Sequence, residues 1–284
     1  MRLLSAEFLK LRRRWASYLV LGLLIGLMAL VSLLVGVTAG ADRTGASAII
    51  RFPGAYAFIN QFVFGLGSLL AVAYAAAIAG ADWNWGVFRV VVARGESRTR
   101  YVLIKYLAVA VFIVLGILIA YAAGIALNYM AGAMAGISVG DPLAGDSGEG
   151  LGLSLLFGSL VVAERAALGF AVAMLLRSQL AGVVTGIVLF IGEQIVATVV
   201  LVTTLSGRGF GEGLRPIGPE WFQFLPFSIG DSVLSRAPTI GGGGPEEFFL
   251  APIPLELAIG VTLLYLAGSI LVAAFSAERT QISG

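Results

Sequence analysis

Apolar residues are concentrated in six long runs, and polar or basic segments separate these runs. A helix that crosses a bilayer needs roughly 20 mainly apolar residues, and each run reaches about that length. The pattern predicts an all-α, polytopic membrane protein with one transmembrane domain, residues 1–284. The six predicted spans lie at about residues 18–37, 55–79, 101–130, 151–176, 180–205 and 255–275.

The segments between the runs refine this prediction. Only Arg177, Ser178 and Gln179 separate the fourth run from the fifth, so we expect a tight helical hairpin; one unbroken helix is the alternative. The third run is long enough to tilt or to extend into the cytosol. Segment 206–254 is rich in glycine and proline and is predicted to be an external loop. The first run exceeds a signal peptide's apolar core, so we expect an uncleaved span, with a cleaved signal as the alternative.

Lysine and arginine, which favour the cytoplasmic side of a membrane, indicate the orientation. They precede the first run at Arg2, Lys10, Arg12, Arg13 and Arg14. They recur between the second and third runs at Arg89, Arg94, Arg98 and Arg100, and at Lys105 in the first turns of the third run. We therefore predict that both termini are cytoplasmic.

Composition narrows the possible functions. The chain is 59% hydrophobic and only 12% charged, about half the charged fraction of ordinary soluble domains. It has no cysteine and no histidine, which excludes disulfides, thiol nucleophiles and imidazole bases or ligands. The pI is near 9.0, but the basic residues lie at the ends of apolar runs, as expected for membrane orientation and not for a nucleic-acid partner.

The N-terminal segment is predicted to be an amphipathic helix over residues 2–16. Its apolar stripe would consist of Leu4, Phe8, Leu11 and Trp15, at about 100° per residue. The basic residues point elsewhere, so we expect the helix to lie in the cytoplasmic interface against membrane lipids. A simple positive anchor with no further role is the alternative.

The loop at residues 80–100, between the second and third runs, is unusually apolar for a cytoplasmic connection. It carries Trp83, Trp85 and Phe88 among its charges. We expect a short helix over about residues 84–94, ended by Gly95. Its apolar side needs a surface to cover it, which the lipid headgroups, the chain's own helices or a soluble partner can provide.

At these positions the sequence resembles the permease subunits of type-2 ABC transporters, which are mostly exporters. The resemblance rests on Glu7–Arg14 before the first span and on the stretch Trp85–Lys105. In that stretch Gly86, Arg89, Ser97, Arg98 and Lys105 match the family's Gly-Thr-x-Arg…Ser-Arg…Lys pattern. A further match is the Leu-Pro element in Phe224–Gly230, which the family places in a re-entrant external segment. Departures are Val87 in place of threonine, Asp82 in place of glutamate, and Gly95-Glu96 in place of a Pro-Val pair.

The resemblance implies that the loop docks on separate cytoplasmic ABC ATPase subunits. The residues expected to couple the two chains are Trp83, Trp85, Gly86, Phe88, Arg89, Arg94, Ser97 and Arg98. Six spans would form half of a translocation pathway, completed by a second copy or a paralogous permease in the plasma membrane of a bacterium. No phosphate loop is present in the sequence, so this chain is expected to be non-enzymatic and without a cofactor, and ATP and Mg²⁺ would be held by the partner ATPase.

Three charged residues lie well inside predicted spans, away from their ends: Glu164 and Arg165 in the fourth, and Glu193 in the fifth. Such residues usually pair or face a cavity. Arg165 can reach Glu193 across the hairpin as a structural salt bridge; a role in substrate or proton movement is the alternative. An ATP-independent secondary transporter using Glu164 and Glu193 is therefore a second hypothesis, although no convincing internal repeat supports it. The apolar, aromatic spans fit a lipid-like cargo, but lipid-facing residues look the same.

Overall fold

The computed structural model describes residues 2–40, 42–93, 95, 97–144, 147–206, 221–236 and 253–279. Within these ranges the chain forms helices and turns, with no strand. Six helices among the described residues are long and apolar enough to cross a membrane. The predicted fold class is confirmed, because the chain is all-α and has the six long apolar helices of a multi-pass membrane protein.

The helices extend beyond most of the predicted apolar runs, because helical geometry continues into their polar flanks. The spans, numbered one to six, are α2 (Trp15–Thr38), the combination of α4 (Ala55–Asn60), a π-helix (Gln61–Leu66) and α5 (Gly67–Asn84), then α7 (Arg98–Ala135), α8 (Ser147–Leu176), α9 (Gln179–Ser206) and α11 (Leu255–Glu278). Shorter helices are α1 (Arg2–Arg13), α3 (Arg43–Ile50), α6 (Val87–Ala93), a 3₁₀ turn (Trp221–Phe224) and α10 (Ser228–Arg236). At about 1.5 Å per residue, span three is about 57 Å long, so it exceeds a hydrocarbon core of about 30 Å as predicted.

Spans two and four form the centre of the bundle. Span two packs on spans four and five, while span six packs on spans three and four. Glycine permits the closest contacts: a Cβ at Gly158 would lie 2.2 Å from the ring of Phe64, and one at Gly169 would lie 2.5 Å from the carbonyl oxygen of Val72. The backbones of spans two and four therefore approach more closely than larger residues would allow.

The predicted hairpin between spans four and five is confirmed. Span four ends at Leu176 and span five begins at Gln179. Arg177 takes a left-handed conformation, with φ +51°, which reverses the chain within two residues. The alternative of one unbroken helix is wrong.

The N-terminal helix packs against span three and differs from the prediction at its end. Leu11 is buried, and Leu4 and Phe8 pack against the main core. The helix ends at Arg13, and Arg14 is extended, with φ −83° and ψ 124°. Trp15 therefore begins span one and is 79% exposed, so its predicted place on the stripe with Leu4, Phe8 and Leu11 is wrong.

The loop after span two is shorter than the predicted range of residues 80–100. Helix α5 continues to Asn84, five residues past the predicted end of the span at 79. The chain then turns at Gly86, where φ is +66°, and α6 begins at Val87. The short helix predicted from residue 84 therefore exists but begins three residues later. Gly95, with φ +81°, follows it.

The predicted external loop at 206–254 contains helical structure. The 3₁₀ turn and α10 occupy Trp221–Phe224 and Ser228–Arg236, so residues 221–236 form a packed segment, called here the tucked segment. It lies against spans four, five and six. Residues 207–220 and 237–252 of this predicted loop, including Gly241–Gly244, lie outside the described residues.

Candidate functional site

Arg165, in the middle of span four, is the hub of a buried polar network. Its side chain is 1% exposed. The Nη2 atom donates to the Oδ1 atom of Asp231 at 2.6 Å and to the carbonyl oxygen of Phe227 at 2.7 Å. The Nη1 atom donates to the hydroxyl of Ser68 at 3.1 Å. A single guanidinium thus connects span two, span four and the tucked segment.

The π-helix of span two lies directly beside this guanidinium. The carbonyl oxygen of Phe64 accepts a hydrogen bond from the Ser68 hydroxyl at 2.5 Å and a longer one from Nη1 of Arg165 at 3.5 Å. π-Helical turns inside α-helices occur frequently at functional sites. On the other side, a Cβ at Gly230 would lie 3.2 Å from Nη2 of Arg165, so glycine allows the tucked segment to approach the arginine.

Glu193 of span five holds the start of α10. Its Oε1 atom accepts hydrogen bonds from the backbone N–H groups of Phe227 and Ser228, at 2.7 and 2.6 Å. A carboxylate at a helix N-terminus satisfies free N–H groups and interacts favourably with the helix dipole. Gln194 adds a bond from its Nε2 atom to Oδ2 of Asp231 at 3.3 Å. Spans four and five therefore both anchor the tucked segment.

The expected salt bridge between Arg165 and Glu193 is not formed, so that interpretation of the hairpin is wrong. Each residue instead bonds to the tucked segment, Arg165 through Asp231 and Glu193 through backbone N–H groups. The sequence predicts an external loop at Asp231. The interacting residues are 66 positions apart for Arg165 and Asp231 and 34 positions apart for Glu193 and Phe227, so the hairpin sequence alone does not identify either contact.

Glu164 precedes Arg165 in span four and belongs to the same cluster of charges. Its side chain is fully buried, and neither carboxylate oxygen has a hydrogen-bond partner among the described residues. Arg165, Glu193 and Asp231 lie within electrostatic range of it. Burial of an unpaired carboxylate is costly. Glu164 is therefore a candidate for binding a proton or a cation.

A second buried cluster joins span two to span three beneath α6. Lys105 donates to the Oδ2 atom of Asp82, and the hydroxyl of Tyr101 donates to the same oxygen at 2.5 Å. All three side chains are buried. The sequence analysis names Asp82 and Lys105 separately and does not predict that they pair. Their opposite charges, which lie within or beside the two apolar runs that flank one loop, could have indicated the pair.

The two tryptophans predicted to couple with an ATPase face in opposite directions. Trp83 faces inward, and its indole N–H approaches the Sδ atom of Met174 at 3.4 Å. Trp85, by contrast, is 73% exposed, with the guanidinium of Arg14 at 5.5 Å from its ring centroid. Val90 on α6 is 52% exposed. Among the side chains that the structure describes here, Trp85 and Val90 therefore form the outward apolar surface.

Two other predicted coupling residues stabilise the start of span three. The Ser97 hydroxyl accepts a hydrogen bond from the backbone N–H of Arg100 and caps the helix. Arg98 donates to the carbonyl oxygen of Glu278 at 2.9 Å, at the end of span six. Phe88 and Arg89 lie in α6, but their side chains, like the whole of Arg94, fall outside the described part of the chain.

A comparison with protein families identifies the group to which the chain belongs. The model of a family described as "Protein of unknown function (DUF2705)" matches residues 42–227. The chain belongs to the DUF2705 family. No curated protein matches it.

The DUF2705 match includes spans two to five and α6. It also includes Asp82, Lys105, Arg165 and Glu193, whereas Asp231 lies just beyond its end. Both polar clusters thus fall largely inside the shared region. The family's description assigns no activity, so a function must be argued from the geometry.

Proposed function

We propose that this chain is the permease subunit of an ATP-driven ABC exporter, which forms half of a pathway and couples to a separate ATPase through α6. One observation carries the proposal: the loop between spans two and three presents an apolar surface, Trp85 and Val90, outside the spans. The resemblance of Trp85–Lys105 to type-2 ABC permeases supports the same assignment. ATP and Mg²⁺ are held by the partner.

A connecting loop does not need exposed large apolar side chains. Exposed apolar groups rimmed by polar residues indicate interaction surfaces, and tryptophan and arginine are enriched at such interfaces. Trp85 has Arg14 beside it, so the surface contains both a tryptophan and an arginine. This favours a docking protein over a purely structural turn.

The cluster beneath α6 supports a mechanical role. Asp82 lies four residues before the Gly86 turn, and Lys105 binds it from span three. A force on α6 would therefore reach both flanking spans together. Span five has few buried residues within the chain, which leaves an apolar surface for lipid or for the second permease that a complete pathway requires.

The proposal is tested by co-purifying the chain with the ATPase encoded beside it. Val90→Asp and Trp85→Ala should each reduce complex formation and ATPase stimulation at least tenfold. Val90→Asp places a charge in the apolar surface, and Trp85→Ala removes apolar area from it. Leu143→Asp is the matched control, since Leu143 is also exposed but lies in a different connection, between spans three and four. Equal binding by Val90→Asp and the unsubstituted chain would exclude α6 as the docking element.

A specific observation also favours a second candidate, an ATP-independent secondary transporter. Glu164 is fully buried with no partner among the described residues, as expected of a proton-carrying carboxylate. Transport into vesicles distinguishes the two. Dissipating the proton gradient stops the secondary transporter, and Glu164→Gln abolishes its coupling. The ABC exporter instead stops when ATP is withheld.

A further inference from the structure

An apolar cleft lies between spans one, two and three. Its volume is about 550 Å³ including the open mouth, and Val162 of span four also lines it. Small residues in the wall provide the space, among them Gly67, Ala71 and Gly116. A Cβ added at Gly116 would meet no atom within 4 Å. The cleft therefore has unfilled room inside the membrane-spanning bundle.

The depth of the cleft matches one leaflet of a bilayer. Along span two its wall runs from Val63 to Tyr74, which is about 16 Å at a rise of about 1.5 Å per residue. Half of a hydrocarbon core of about 30 Å is about 15 Å. The cleft thus has the length of a single layer of acyl chains.

Only one end of the cleft is polar. There the hydroxyls of Ser17 and Tyr74 lie 2.8 Å apart, and the Ser17 hydroxyl donates to the carbonyl oxygen of Leu11. Trp15 and Tyr18 are exposed at the same level of span one, where aromatic side chains mark the membrane interface. The polar end therefore lies at headgroup depth, and the apolar part extends toward the midplane.

The surroundings of the polar end are positively charged. Arg14 lies within electrostatic range of Tyr74, and Arg12 and Arg13 are exposed on the adjoining helix. Basic residues at a membrane surface attract anionic headgroups. An amphipathic molecule with an apolar chain and an anionic head would match both ends of the cleft.

We propose that the cleft holds one acyl chain of an anionic glycerophospholipid, with its headgroup beside Arg14. The lipid comes from the leaflet that borders the N-terminal end of span one, which is the cytoplasmic leaflet in the predicted orientation. An apolar cleft at this depth is open to acyl chains and not to water. The bound lipid is a retained component of the fold and does not depend on the proposed transport function.

The test fills the cleft without disturbing the helix. Gly116→Leu places a side chain in the open space, whereas the control Gly26→Leu places the same side chain on the exposed face of span one, where nothing lies within 4 Å. Each protein is incubated with vesicles of phosphatidylglycerol or of phosphatidylcholine with identical chains, extracted, and weighed by native mass spectrometry.

We expect the unsubstituted chain and Gly26→Leu to retain one phosphatidylglycerol per chain, and Gly116→Leu to retain at least fivefold less. Phosphatidylcholine should be retained less than phosphatidylglycerol, and Arg14→Gln should remove that difference. Equal retention by Gly116→Leu and Gly26→Leu would overturn the assignment to this cleft. Equal retention of both lipids by the unsubstituted chain would overturn the anionic headgroup.

A second measurement tests the proposal even if Gly116→Leu does not fold, because it uses the unsubstituted protein. Phosphatidylglycerol with a diazirine near the end of one chain is cross-linked to the unsubstituted protein, and the labelled peptides are identified. Labels on span three around Gly116 and on span two around Gly67 support the proposal. Labels confined to the exposed faces of spans one and five would contradict it.

Discussion

Removing the carboxylate of Asp231 should release the tucked segment from Arg165. The Asp231 side chain is 39% exposed, whereas that of Arg165 is 1% exposed. Asp231→Ala therefore leaves a buried guanidinium with only neutral hydrogen-bond acceptors, at Phe227, Ser68 and Phe64. The arginine cannot move into water without unpacking span four. The lost free energy should therefore weaken the packing of the tucked segment against span four.

The expected magnitude follows from burial and charge. Breaking one partner of a buried ion pair costs about 3–5 kcal/mol, and the partial exposure of Asp231 reduces this to about 2–3 kcal/mol. Asp231→Asn keeps an acceptor oxygen and loses only the charge. A hydrogen bond to a charged partner exceeds a neutral one by about 1 kcal/mol. Asp231→Ala should therefore perturb the segment more than Asp231→Asn.

The assay is hydrogen exchange of the tucked segment in lipid nanodiscs. If the amides of α10 exchange by local opening, about 2 kcal/mol corresponds to roughly 30-fold faster exchange for Asp231→Ala, at about 1.4 kcal/mol per tenfold change. Exchange within span three should not change. Glu256→Gln is the control, because Glu256 is an exposed carboxylate at the start of span six. If Asp231→Ala exchanges no faster than Glu256→Gln, the Arg165 network does not hold the segment.

The remaining predictions concern the second cluster, the hairpin contact and the orientation. Lys105→Met alone should lower stability by about 3 kcal/mol by leaving Asp82 buried without its cation, and adding Asp82→Leu should recover most of this loss in thermal unfolding; no recovery would show that the two residues act separately. Gly80→Leu should abolish a monodisperse peak in size-exclusion chromatography, because its Cβ would lie 2.4 Å from a Cα atom of span five. Since the chain has no cysteine, Val90→Cys and Leu143→Cys should label from opposite sides of the membrane in intact cells; labelling from the same side would contradict the topology.

The spans and the hairpin could be predicted because apolar length alone specifies them. The prediction for span two is correct for its existence and wrong for its end. Its predicted end at residue 79 followed the loss of continuous apolar residues, yet the helix continues to Asn84. In the added turn, the carboxylate of Asp82 accepts hydrogen bonds from Lys105 and Tyr101 of span three. The hydropathy of one segment carries no information about partners in another segment.

The candidate site was predicted in part. The sequence predicts Glu164, Arg165 and Glu193 as intramembrane charges because a charge in an apolar run is conspicuous, and the structure gives them buried or partly buried side chains. Their partners were not found. Glu193 binds two backbone N–H groups, which every residue except proline possesses, so no side-chain pattern identifies them. Asp231 lies in a segment whose glycine- and proline-rich surroundings favour a loop.

Under the proposed function, span two links the two clusters mechanically. Ser68 and Asp82 are 14 residues apart on α5, which is about 21 Å along one helix. A displacement of α6 would therefore reach the Arg165 network through a continuous helix. The bond from Arg165 to Ser68 is longer and has a neutral acceptor, whereas the bond to Asp231 is short and ionic. The Ser68 contact should break first, so span two would slide while span four and the tucked segment move as one unit.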